Sequence, residues 1–289
     1  MLNYTAPSTV EEAVRILASA SGPAKVLSGG TDLLVQLRSG RAKPGLIVDI
    51  KKIPGISGIR EQDGAFVIGA ATPGAVIGEC EALRQAWPGV VEAANLIGST
   101  QVQGRASLAG NLCNASPAAD SVPALIAARA ICVVAGPNGQ REVPVESITT
   151  GPGRTSLRPD EFIVEFRLPK RPPRSADAYL RFIPRTEMDI AVVGAGVALT
   201  LDDAGVCTHA RVALGAVAPT PLLVADAAKA LIGTRVDDKA LAALAAATSA
   251  ACKPIDDKRG TIAYRIKVSG VLARRAANIA LERARGRNG

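Results

Sequence analysis

Apolar residues recur at helical spacing soon after the chain begins. Val10, Val14 and Leu17, with Ala13 and Ile16, alternate with Glu11, Glu12 and Arg15. Two overlapping capping-box spacings, Ser8 to Glu11 and Thr9 to Glu12, precede the stripe, so a helix is predicted over 9–20. Lys25-Val26-Leu27 reads as a short buried strand running into Ser28-Gly29-Gly30-Thr31, and 32–38 as the helix which that turn opens. The apolar run at 46–50, bracketed by Pro44 and Pro54, is a second strand. After Gly58 the pattern predicts a strand at 66–69 and a helix from Thr72-Pro73 to Cys80, with proline in its first turn. Helices follow at 89–96 and 123–130, and strands at 131–134 and 142–145 flank the turn Gly136-Pro137-Asn138-Gly139. A strand at 162–168 ends at Pro169.

Lys170-Arg171-Pro172-Pro173-Arg174 reads as a linker, because consecutive prolines disfavour regular structure. Beyond it, strands near 178–183, 190–201 and 206–218 precede helices near 222–232, 237–251 and 261–284. The fold class is α+β with antiparallel strands. The domains are 1–172, with subdomains 1–57 and 58–172, and 173–289.

Two glycine-centred segments stand out, Val26-Leu27-Ser28-Gly29-Gly30-Thr31-Asp32 and Ser107-Leu108-Ala109-Gly110-Asn111-Leu112. Glycine permits sharp turns and close approach of a ligand to backbone amides. Successive exposed N–H groups bind anions without an adjacent cation. The pair reads either as two walls around one long anionic ligand, such as a dinucleotide pyrophosphate, or as two unrelated turns. From 97 to 123 the chain is dense in amides, hydroxyls and small residues that suit nucleotide oxygens. There Asp120 is either a helix N-cap or an acceptor for sugar hydroxyls.

Composition narrows the chemistry. Five cysteines at wide spacing, with no C-x-x-C, disfavour a disulfide framework, a zinc site or a protein-held iron–sulfur cluster, and fit a cytoplasmic setting. His209 is the only histidine and reads as structural, so neither a histidine-rich metal site nor a hydrolase triad is expected. Gly194-Ala195-Gly196 lacks the third glycine of a Rossmann fingerprint, and no P-loop occurs. The net charge of +8 includes a tail with Arg274, Arg275, Arg283, Arg285 and Arg287. No aromatics interleave with it, so nucleic-acid binding is not expected. The tail is a solvated helix face or a docking face for a partner. No secretory signal or membrane span is read.

These segments resemble the signature of the flavin-binding subunit of molybdenum hydroxylases. That family includes the FAD domain of xanthine dehydrogenase and the medium subunit of aerobic carbon monoxide dehydrogenase. Ser28-Gly29-Gly30-Thr31-Asp32-Leu33-Leu34 resembles its A-G-G-x-x-L-L element. Ser107 to Asp120 resembles T-[IV]-G-G-N-x-x-x-A-S-P-x-x-D. Gly151 to Glu161 resembles G-x-x-x-T-x-L-x-x-x-E, and Arg185 to Ala191 resembles R-x-x-x-D-I-A. The four run in order along essentially the whole chain.

The resemblance implies a two-part FAD-binding domain of the PCMH/vanillyl-alcohol-oxidase type, followed by a C-terminal α+β domain with an antiparallel sheet. It implies FAD as the cofactor, a molybdenum-cofactor subunit and a [2Fe-2S] subunit as partners, and NAD, a quinone or oxygen as external acceptor. Val26, Leu27, Ser28, Gly29, Gly30, Thr31, Asp32 and Leu33 would wrap the pyrophosphate from one side, and Ser107, Gly110 and Asn111 from the other. Asn114 and Asp120 would reach sugar or ribityl hydroxyls, Leu157 the isoalloxazine, and Arg181 its polar edge. Ile97 would lie near adenine, where some relatives carry an aromatic. Ala109 replaces a glycine, so its turn must tolerate a methyl group. No catalytic residue or metal ligand is implied. The alternatives are a free-standing flavin reductase of related fold and a non-enzymatic basic module.

Overall fold

The computed structural model describes residues 2–286; Arg287 of the basic tail lies outside them. The first helix runs Val10–Ala18. Thr9 Oγ1 accepts from the Glu12 N–H at 3.1 Å, and the Glu12 carboxylate accepts from the Ser8 N–H at 2.7 Å. Ala13, Val14 and Leu17 are its buried face. That face belongs to the core beside the three-stranded parallel sheet of Asn3–Thr5, Leu46–Asp49 and Ala24–Leu27, whose central strand is Leu46–Asp49.

The second block is a five-stranded antiparallel sheet in the order Ile59–Gln62, Ala65–Gly69, Phe162–Leu168, Ile131–Gly136, Gly139–Pro144. Phe162–Leu168 is central and nearly continuously buried, as its apolar run requires. Between the second and third strands in sequence lie the helices that build the site.

The C-terminal sheet is antiparallel, in the order Ser175–Phe182, Val193–Leu201, Cys207–Gly215, Leu222–Leu223. It is covered on both faces. Neighbouring residues of a strand point oppositely. Ala178, Val212 and Leu214 join the core of the C-terminal helices Ala225–Leu231, Asp238–Ala251 and Ile262–Ala284. Their neighbours Tyr179 and Ala213 join the core of the N-terminal part. There the covering helices are Pro88–Ala94 and Ser121–Ala127. The G-x-G at 194–196 serves this contact: a Cβ on Gly196 would sit 2.6 Å from the Pro123 carbonyl oxygen.

Several expectations need correction. Pro73 caps its helix, Gly74–Glu79, from outside. The helix expected at 222–232 is divided into the strand Leu222–Leu223 and the helix Ala225–Leu231. The stretch 170–174 is not a loose linker. Arg171 pairs with Asp177 at 3.0 Å and lies 4.7 Å from the centre of the Trp87 ring, with its side chain mostly buried. The strands Asn3–Thr5 and Ile59–Gln62 were not anticipated; both are short, exposed and polar.

Candidate cofactor site

The strand Ala24–Leu27 delivers the chain into the loop at 28–31. Gly30 has φ +81°, a conformation that favours glycine. Gly29 is required for another reason. A Cβ there would lie 2.0 Å from the Arg105 carbonyl oxygen, so this glycine lets two backbones meet. The helix that follows, Leu33–Arg38, starts without a side-chain cap from Asp32.

The second glycine segment forms a helix, Leu108–Cys113, rather than a loop. Ser107 caps it, its Oγ accepting from the Gly110 N–H at 3.2 Å. Ala109 is therefore a helical position, which accommodates its methyl group without a turn. A Cβ on Gly110 would meet only Ser107 Oγ, at 3.3 Å. Asn111 Oδ1 accepts from the Ser121 N–H at 3.1 Å and the Ser121 hydroxyl at 2.7 Å, which fixes its amide.

The segments meet through side chains as well. Ser28 Oγ and Ser107 Oγ lie 2.8 Å apart, and Gln36 Nε2 donates to Asn114 Oδ1 at 3.0 Å. Lys51 Nζ donates to the Ser28 carbonyl at 3.1 Å and to Asp49 at 2.6 Å, holding the loop from behind.

A third segment closes the cleft. Glu161, its side chain 1% exposed, accepts two bonds from Arg141, both at 2.9 Å, and one from the Arg158 N–H at 2.8 Å. The Arg141 pair and these hydrogen bonds hold its carboxyl well below the usual range, at about 2, against the effect of burial. The bend so formed carries Leu157.

These three segments enclose a cavity of about 270 Å³. Val26, Leu27, Ser28, Gly29, Gly30, Thr31, Asp32 and Leu33 line one side, and Ser107, Gly110, Asn111 and Asn114 the other. Ile97 and Leu157 complete the wall. Lys25, Gln36, Cys113, Arg158 and Glu161 also line it, and sequence reasoning did not single them out as site residues. Gln36 was within reach, since it stands one helical turn after Asp32. Arg158 and Glu161 lie inside a motif that was recognised.

Asp120 and Arg181 are not in the lining. Arg181 Nη1 donates to Asp120 Oδ2 at 3.1 Å and to the Leu96 carbonyl at 2.7 Å, and both side chains are buried. Asp120 does not cap the helix Ser121–Ala127 through its side chain, and its Oδ1 has no hydrogen-bond partner. Burial lifts its carboxyl to about 6 although Arg181 pulls it down. His209 is exposed on its strand. Among the described residues no cluster of His, Cys, Asp and Glu could hold a metal ion. Nor is any described helix long and apolar enough to cross a membrane.

The class of the protein, an FAD-binding subunit of oxidoreductase complexes, follows from its relatives. The family model "FAD binding domain in molybdopterin dehydrogenase" matches residues 1–171, and "CO dehydrogenase flavoprotein C-terminal domain" matches residues 178–280. The chain belongs to this family, the FAD-binding subunits of molybdenum hydroxylase-type complexes, whose cofactor is FAD. It is 34% identical to the carbon monoxide dehydrogenase medium chain of Hydrogenophaga pseudoflava, over 97% of each chain. It is 30% identical to a putative xanthine dehydrogenase FAD-binding subunit of Escherichia coli, over 99% of this chain and 98% of that one. A solved carbon monoxide dehydrogenase structure from Hydrogenophaga pseudoflava superposes with a TM-score of 0.93 at 35% identity, covering 98% of both chains.

Proposed function

We propose that the chain is the electron-transfer subunit of a cytoplasmic molybdenum hydroxylase complex. A [2Fe-2S] subunit and a molybdenum-cofactor subunit are its partners, and NAD, a quinone or oxygen is the external acceptor. The observation that carries the reading is the cleft itself. Two glycine segments far apart in sequence are bonded to each other at Ser28–Ser107, and the residues just beyond them at Gln36–Asn114, around one cavity.

The residues present fit FAD. The open side of Gly110 leaves room for a phosphate against the helix start, and the backbone N–H groups of 28–33 supply donors that need no cation. Ser107 and Asn111 hold the pyrophosphate from the second wall, Asn114 reaches sugar or ribityl hydroxyls, and Leu157 and Ile97 give apolar contact to the ring systems. Asp120 and Arg181 act from behind the wall, as a buried pair that fixes the backbone at Leu96. FAD held there would supply the redox chemistry that links a partner centre to an acceptor. This chain's residues bind it, orient it and shield it.

The test is reconstitution. The purified chain alone should contain FAD and fail to oxidise purines, carbon monoxide or N-heterocycles with a dye acceptor. Added iron–sulfur and molybdenum subunits should restore turnover on the complex's substrate. Full turnover by the single chain would contradict the proposal.

A further inference from the structure

We infer, resting on the reading that FAD occupies the cleft, that Lys51 is a positioning residue for the cofactor. It clamps the Ser28–Gly29 peptide so that the Gly29 N–H faces the pyrophosphate.

The sheet sets the place of Lys51. In the parallel register Asp49 stands beside Leu27, the last strand residue before the glycine loop. Asp49 Oδ1 accepts from the Lys51 N–H at 3.1 Å, which starts the short helix Ile50–Lys52. The same oxygen accepts from Lys51 Nζ at 2.6 Å, and Asp49 Oδ2 accepts from the Tyr4 hydroxyl at 2.9 Å. Asp49 is buried, so a carboxylate fixed from both sides aims the ammonium. Its target is the Ser28 carbonyl, at 3.1 Å. Lys51 itself is not in the cleft lining, which takes in Ser28, Gly29 and its own neighbour Ile50.

The two ends of a trans peptide point in opposite directions. No described peptide is cis, so with the Ser28 carbonyl turned to Lys51 the Gly29 N–H is turned away from it. The N–H groups of Gly29, Gly30 and Thr31 find no acceptor among the described residues. Backbone donors are normally paired, and an anionic oxygen in the cleft would pair these. A clamp is needed because the residue after this peptide is glycine. Glycine takes positive φ at little cost, so the peptide could turn over and set a carbonyl oxygen against the phosphates. A hydrogen bond from an ammonium is of the stronger kind and holds one orientation.

The test is FAD titration into full-length apo wild type, Lys51→Met and Lys51→Arg, with apo melting curves and the amide resonance of Gly29 followed in each. Lys51→Met should weaken FAD by about tenfold or more, the scale of a lost hydrogen bond involving a charged group. Lys51→Arg, which keeps a charged donor, should restore most of the affinity. The Gly29 amide should shift on FAD addition in wild type and Lys51→Arg, and much less in Lys51→Met at saturating FAD. General loosening of the fold would not single out that amide. Lys51→Gln, one atom shorter, replaces Lys51→Met if the latter fails to fold. Unchanged FAD affinity in the folded variant, no rescue by arginine, or an equal Gly29 shift would each overturn the role of Lys51 and leave the flavin cleft standing. A wild type that binds no FAD would overturn the cleft reading, and the role of Lys51 with it.

Discussion

Ser28 Oγ and Ser107 Oγ stand 2.8 Å apart across 79 residues of chain. Ser107 also caps the helix Leu108–Cys113, so one hydroxyl both starts the second wall of the cleft and fastens it to the first. Removing it should cost stability and cofactor together. For Ser107→Ala we expect about 1–2 kcal/mol of lost stability, the range for a lost cap with a buried partner. FAD affinity should fall as well. Denaturant unfolding at fixed FAD and an FAD titration check the two effects. An unchanged affinity would separate the cap from the site.

Gly29 and Gly22 make a controlled comparison. A Cβ on Gly29 would stand 2.0 Å from the Arg105 carbonyl oxygen, whereas one on Gly22 would meet nothing within 4 Å. Gly29→Ala should therefore destabilise by at least about 2 kcal/mol, in the manner of overpacking against backbone. Gly22→Ala should stay within about 0.5 kcal/mol of wild type. Thermal melts of the two apo proteins decide it, and equal melting temperatures would refute the close approach of the walls.

Asp120 should leave a signature in the pH dependence of stability. Burial lifts its folded-state carboxyl to about 6, above its unfolded value, so the folded state binds the extra proton. The associated stability is fully present below the unfolded pKa and is lost as pH rises through about 6. Wild type should thus gain on Asp120→Asn as pH falls from 7 to 4.5. Parallel unfolding curves over that range would contradict the lifted pKa.

Glu161 should behave oppositely. Its carboxyl is held at about 2, so its contribution is present above the unfolded carboxylate range and is lost as pH falls toward 2. Its partner Arg141 is half exposed, which screens the pair. Glu161→Gln should accordingly cost about 1–2 kcal/mol at neutral pH, less than a fully buried pair would. The deficit should shrink as acid protonates wild type. A pH-independent deficit would show that the bend carrying Leu157 does not depend on this carboxylate.

Much of this architecture is legible in the chain because it is written locally. The stripe from Val10 to Leu17, the buried run at 162–168 and the long alanine-rich helices carry their own periodicity. Of the glycine segments, the first was readable as a turn. The second was not readable as a helix: Gly110 and Asn111 are poor helix formers, and the cap of Ser107 and the bonds of Asn111 to Ser121 override propensity. The pairing of Arg181 with Asp120 joins residues from different domains, and no local pattern encodes it. The same holds for Arg171 on Trp87, which turned an expected linker into packed structure.

The central claim is that FAD lies between the two glycine segments, against the start of the helix Leu108–Cys113. Gly110 isolates that claim, because outside its own helix backbone a Cβ there meets only Ser107 Oγ within 4 Å, at 3.3 Å. The decisive measurement is FAD titration into apo wild type and apo Gly110→Val, with circular dichroism and melting curves confirming that both are folded. The account predicts one FAD per wild-type chain and at least tenfold weaker binding by the variant. Equal affinity in a folded Gly110→Val protein would contradict it and move the cofactor elsewhere.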